Sequence, residues 1–270
     1  MPKNLYYDDI KLIKKPFIKR LKGFLKFFLI CILIIGCFFC ASFFSKALTV
    51  GNVSSLLLYG DKVIKISEKK HYAVTMGVYD TFEESRQVGL GLMIQGGSGY
   101  VWEKDNKFYV IGSIYSSIED ANKVIENIKN SNYDIDILDI KFSAINIKFD
   151  DYENKQVKEI EDALKLIDLI IEEVGSLAIR FDKSEINNFA VSSSLSDLRG
   201  DVKVSIATMQ NILKIPNEAV NLIQLKLIKI DELLDSAIIQ TIEKTENYFL
   251  KNINSQMYQI KYDLYQGLAK

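Results

Sequence analysis

Two rhythms divide this chain. Between residues 72 and 148 short β-branched and aromatic runs are separated by Gly, Asn and Asp, the mark of strands that bury one face and show the other. From Tyr152 the period becomes helical: Ile160, Leu164, Ile167, Ile171, Val174, Ala178 and Phe181 step alternately by four and three, which predicts a helix packed on other helices. Polar residues 183–188 interrupt it. A second helix is expected to start within residues 192–196, where several hydroxyls can cap it, and to run through Leu198, Val202, Ile206, Met209 and Leu213 until Pro216 closes it or opens the next. Ile223, Leu227, Ile230, Leu234 and Ala237 then repeat the stripe in one long helix or two stacked ones. Beyond residue 240 that face carries Thr241, Thr245, Tyr248 and Asn252, which argues against a continuous coiled coil. Residues 152–270 thus read as a helical bundle, with a self-associating or partner-recruiting module as the alternative.

The strand-rich part is written twice. Tyr72-Ala73-Val74-Thr75-Met76-Gly77-Val78-Tyr79 aligns with Phe108-Tyr109-Val110-Ile111-Gly112-Ser113-Ile114-Tyr115, 36 residues on. Asp80-Thr81-Phe82-Glu83-Glu84-Ser85 likewise aligns with Ser116-Ser117-Ile118-Glu119-Asp120-Ala121. Each copy predicts a strand, a polar turn and a helix. Gly96-Gly97-Ser98-Gly99 should end the first helix and turn the chain into a strand at Tyr100. Gly89 and Gly91, inside that helix, are expected to permit close helix-to-sheet packing. Residues 47–71 form a connector in which Val63-Ile64-Lys65-Ile66 suits a short strand.

Residues 27–45 are uncharged for 19 positions and rich in Phe, Ile, Leu and Cys, long enough as a helix to cross the hydrocarbon core. Eight cations and only Asp8 and Asp9 precede them, so residues 1–26 are expected in the cytoplasm and the chain beyond residue 46 outside it. The basic segment is long for a cleaved signal peptide. Ile34-Ile35-Gly36-Cys37 superficially resembles a lipobox, but the apolar run continues through Phe44 and reads better as a spanning helix. Cys31, Cys37 and Cys40 all fall within it, so the exported part has no cysteine with which to build a disulfide.

The whole-chain charge of −1 averages two unlike parts. Residues 1–46 hold nine of the 34 cations and two of the 35 acids, leaving 25 cations against 33 acids and a net charge of −8 outside. An acidic exported part argues against a nucleic-acid partner. His71 is the sole histidine, which disfavours zinc hydrolysis and a Ser-His-Asp triad. Ser67-Glu68-Lys69-Lys70 has the Ser-x-x-Lys spacing of penicillin-binding enzymes but no partner Ser-Asp-Asn or Lys-Thr-Gly motif. The glycines of residues 89–99 lack a Walker lysine. The acids suit turns and helix starts, so no catalytic residue, metal or cofactor is expected.

Residues 72–140 resemble a SPOR domain, the sporulation-related repeat of bacterial envelope proteins. The resemblance lies in the two aromatic-flanked strands and in the acidic helix starts at Glu83, Glu84, Glu119 and Asp120, with Ala121 beside them. It implies a ferredoxin-like β-α-β-β-α-β domain (72–148), and with the transmembrane helix (residues 27–46) and the C-terminal all-α bundle (152–270) read from hydropathy and period the expected fold class is α+β. It also implies an open antiparallel sheet face that binds peptidoglycan glycan strands without turning them over. On that implication the glycan-binding residues are Thr75, Tyr79, Trp102, Tyr109, Ile111 and Tyr115. The sequence departs from the pattern at Thr75, where the family often has Gln, and at Gly112, one residue early. The expected protein is a single-pass membrane protein acting at the cell wall in division or sporulation.

Overall fold

A computed structural model describes residues 62–128, 132–243 and 248–269. The basic tail and the apolar segment at 27–45 lie outside the described residues. Among the described residues no helix is long and apolar enough to cross a membrane.

Both halves of the repeat are present as structure. Strand β2 (Lys69–Tyr79), helix α1 (Phe82–Ile94) and strand β3 (Tyr100–Lys104) form the first; β4 (Lys107–Tyr115), α2 (Ile118–Ile128) and β5 (Asp136–Phe142) form the second. The duplication extends to the helix starts. Thr81 Oγ1 accepts from Glu84 N and Ser117 Oγ accepts from Asp120 N, at 3.3 and 3.1 Å, each satisfying a backbone donor that a helix start leaves open. The four strands form one antiparallel sheet in the order β3-β4-β2-β5. Within the expected connector, β1 (Val63–Ile66) pairs antiparallel with β6 (Ile145–Lys148) in a separate two-stranded sheet.

The misplaced glycine of the second half has a geometric cause. Along β2 and β4 the pairs run Val74↔Ser113, then Thr75↔Ile111, then Val78↔Tyr109, so Gly112 is an extra residue in β4, and Met76-Gly77 together face Val110. These are β-bulges. A Cβ on Gly112 would lie 2.7 Å from Met76 Cε, and Gly77, at φ +137, is in a conformation that side chains avoid. Each half thus uses its glycine at a bulge, one position out of register with the other.

The sheet is buried on both sides. Val74, Met76 and Val110 pack with Leu92 of α1 and Ala121 of α2 in one core. Ala73, Ile111, Trp102, Leu138, Ile140 and Phe142 face the other way and join the core of the C-terminal helices. Those helices are α3 (Asn154–Asp182), α4 (Asn188–Ile212), α5 (Glu218–Glu243) and α6 (Tyr248–Leu268). Consecutive helices pack together, and α6 also packs on α3 and on the sheet. The stripe from Ile160 to Phe181 is buried in α3 except for half-buried Leu164. Tyr59–Lys270 consequently forms one compact unit.

Two local expectations change, and the last stripe takes the second of its two readings. Helix α4 starts ahead of the serines, because Asn187 Oδ1 accepts from Ala190 N at 2.9 Å and caps it first. The last stripe divides into α5 and α6. Gly89 meets Gly99, whose carbonyl oxygen would lie 2.5 Å from an added Cβ, whereas Gly91 faces open space and serves no packing.

Candidate functional site

Strand alternation puts four of the six expected glycan residues on one sheet face. Thr75, Trp102, Tyr109 and Ile111 lie with Ala73 and Phe142 on the side away from α1 and α2, Trp102 directly opposite Tyr109 and Thr75 opposite Ile111. Tyr79 and Tyr115 belong to the other side, half-buried against the core of α1 and α2. The six do not form one surface.

The open face implied by the resemblance is covered. Helix α6 lies across it, and Thr75, Trp102 and Ile111 are 1%, 1% and 0% exposed; Tyr109 alone of that group is half-buried. The Trp102 indole meets Tyr262 edge-on at 5.6 Å, Phe142 meets Tyr265 at 5.2 Å, and His71 stands between Phe142 and Tyr258. Thr75 Oγ1 donates to the Asp136 carbonyl instead of reaching solvent. The contact is polar at its rim: Ser98 and Ser255 hydroxyls lie 2.8 Å apart, Asn252 Nδ2 donates to Ser98 O, and Lys251 Nζ donates to Gly96 O.

At the far end of this contact Asp168 of α3 receives Lys69 from β2 and Lys261 from α6, both at 2.7 Å. Burial pushes the Asp168 carboxyl up, but the two lysines together outweigh it and hold the group below its usual range. Burial lowers the Lys261 ammonium, whose side chain is 3% exposed, and Asp168 only partly offsets this. The two directions agree physically, because one carboxylate serves two lysines and the deeper lysine shares its counter-charge. Burial, helped by Lys261, pulls His71 from 6.5 to about 4, so the imidazole is neutral at neutral pH.

Among the described residues, two buried side-chain atoms have no partner, His71 Nδ1 and Trp102 Nε1. Each costs about 1–3 kcal/mol. Burying Ile111, Ile140 and Phe142 in the same contact returns about 1.5–3 kcal/mol per side chain. Burial of these side chains works against that loss.

A cleft remains at the side of this contact. It has a volume of about 390 Å3 and lies between the β4 end, the α1 C-terminus and α2 on one side and α3 with α6 on the other. Tyr115 and Tyr133 supply its rings, Met76 and Leu92 apolar wall, and Asn254, Asp182 and Lys251 polar wall. Ser113 Oγ donates to the Tyr115 hydroxyl at 2.7 Å, leaving the phenol proton as a donor. Burial raises the Tyr115 pKa against the opposing Ser113 bond, so that proton is retained. Asn254 Nδ2 donates to Ile171 O at 2.7 Å, which fixes the amide and leaves its oxygen as the acceptor it can offer. Asp182 and Lys251 pair with each other and cancel in charge. Of the expected residues only Tyr115 lines the cleft; sequence reasoning missed the rest, because they come from six separate elements and two loops.

Among the described residues no group of three or more His, Cys, Asp and Glu side chains is placed to hold a metal ion. No protein-family model matches the chain, and no curated protein matches it. Among solved structures, the solution structure of the peptidoglycan binding domain of the B. subtilis cell wall lytic enzyme CwlC aligns with a TM-score of 0.25 and 20% identity, over 27% of this chain and 94% of that one.

Proposed function

We propose that this chain is a non-catalytic, single-pass membrane protein whose exported unit attaches to the glycan strands of peptidoglycan, tethering membrane to wall in division or sporulation. The observation that carries the reading is the assembly of the two β-α-β halves into one antiparallel sheet, ordered β3-β4-β2-β5 with α1 and α2 on a single side. That order agrees with the ferredoxin-like arrangement of the SPOR domain which the sequence resembles. The basic segment ahead of residue 27 and the uncharged run behind it support the anchor and its orientation. The excess of acids beyond residue 46 disfavours a phosphate-rich polymer. Burial of the only histidine under α6 supports binding without turnover.

Because α6 lies on the sheet, the attaching unit is residues 59–270 rather than the sheet alone. The test is co-sedimentation of this unit with purified sacculi before and after amidase removal of stem peptides. The expected result is pelleting that increases after amidase. A protein that stays in the supernatant with both preparations contradicts the reading.

A further inference from the structure

We propose that the cleft between the sheet and helices α3 and α6 is a saccharide site that takes a neutral N-acetylated hexose unit. This rests on the glycan-attachment reading and moves the contact away from the sheet face, which α6 occupies.

Volume, charge and polar groups point the same way. About 390 Å3 falls within the roughly 300–1,000 Å3 typical of small-ligand sites, which favour junctions of this kind. The cleft offers no unpaired charge through Asp182 and Lys251, since each neutralises the other. An anionic or cationic ligand would have to break that pair, whereas a neutral one need not. The Tyr115 hydroxyl can donate and the Asn254 amide oxygen can accept, both beside apolar wall from Met76 and Leu92. An N-acetylated hexose supplies the complement: an amide N–H for the asparagine oxygen, ring hydroxyls for the tyrosine, and a C–H face and acetyl methyl for the aromatic and apolar wall.

Gly175 makes the space. It lies inside α3, where glycine costs about 1 kcal/mol relative to alanine, and it lines the cleft next to Asn254. A Cβ added there would stand 3.4 Å from Asn254 Nδ2, an ordinary contact that shifts nothing. Gly175→Ala therefore separates stability from binding: the fold should gain while the cleft loses volume.

The experiment measures binding of residues 59–270 to amidase-stripped sacculi, with tetra-N-acetylchitotetraose as soluble competitor, for the wild type, Gly175→Ala and Tyr115→Phe. The wild type should pellet, the oligosaccharide should compete, and both substitutions should weaken binding several-fold while Gly175→Ala melts at a higher temperature than wild type. Affinity for the neutral oligosaccharide should change little from about 0.05 to 0.5 M NaCl, since no net charge is matched. If the wild type pellets but neither the substitutions nor the competitor alter it, the cleft assignment is overturned and wall attachment stands. If the wild type does not pellet, both fail.

Discussion

At the scale of single residues, the contact beneath α6 is where charge and burial are most finely set. His71 is neutral in the fold because burial, then Lys261, lowers its pKa from 6.5 to about 4. Its contribution to stability is therefore complete above pH 6.5 and is lost as the pH falls from 6.5 to about 4, where the unfolded chain takes up a proton that the folded one resists. Thermal melting across that window should show the loss, and His71→Leu should flatten it. An unchanged pH profile in the variant would place the titration elsewhere. Asp168 gives a second residue-scale test. Asp168→Ala removes the carboxylate that both Lys261 and Lys69 pair with and should cost about 3–5 kcal/mol in urea denaturation. A loss below about 1 kcal/mol would mean that solvent already screens the pair.

At the scale of elements, much was legible in the sequence and the omissions have physical reasons. The repeat gave both strand-helix-strand halves because each carries its own alternation and its own hydroxyl cap, Thr81 and Ser117. The stripe from Ile160 to Phe181 found α3 because that helix buries one apolar face. Helix α6 was readable as a helix but not as the cover of the sheet. Its docking side is Asn252, Ser255, Tyr258, Tyr262 and Tyr265, at helical spacing, and this polar and aromatic mixture reads as a weakened stripe when only aliphatic residues are counted. The tyrosines were the available signal. The cleft was not legible, because period and spacing describe one element at a time and its wall draws on six elements and two loops. An element-scale substitution checks the helix-to-strand approach: Gly89→Ala gains helix propensity of up to about 1 kcal/mol but drives a Cβ to 2.5 Å from the Gly99 carbonyl. Backbone on both sides leaves no room to relax, so the variant should be less stable than wild type, in contrast to Gly175→Ala. Equal stability would show that α1 and β3 can separate.

At the scale of the whole molecule, one apolar core runs from Ile64 and Ala73 through Trp102 and Phe142 into all four C-terminal helices. The unit at residues 59–270 should therefore unfold as one. Trp102 is the only tryptophan and sits in the contact with α6, so its fluorescence reports that contact while far-UV circular dichroism reports mainly the bundle. Urea transitions followed by the two signals should coincide for residues 59–270; an earlier fluorescence transition would show α6 leaving the sheet before the bundle melts. This arrangement makes the C-terminal helices part of the same packed unit as the sheet.

The most direct measurement fixes α6 on the sheet and asks whether glycan still binds. Ser98 and Ser255 have hydroxyls 2.8 Å apart and both are buried, so Ser98→Cys with Ser255→Cys places two thiols where a disulfide can join β3's leading turn to α6. No other cysteine exists in residues 59–270. Co-sedimentation of this variant with amidase-stripped sacculi, oxidised and reduced, should give equal pelleting, because the attaching state is the one with the sheet face shut. Pelleting by the reduced protein alone would contradict the account and return the site to the face carrying Thr75, Trp102, Tyr109 and Ile111; pelleting by neither would contradict glycan attachment itself.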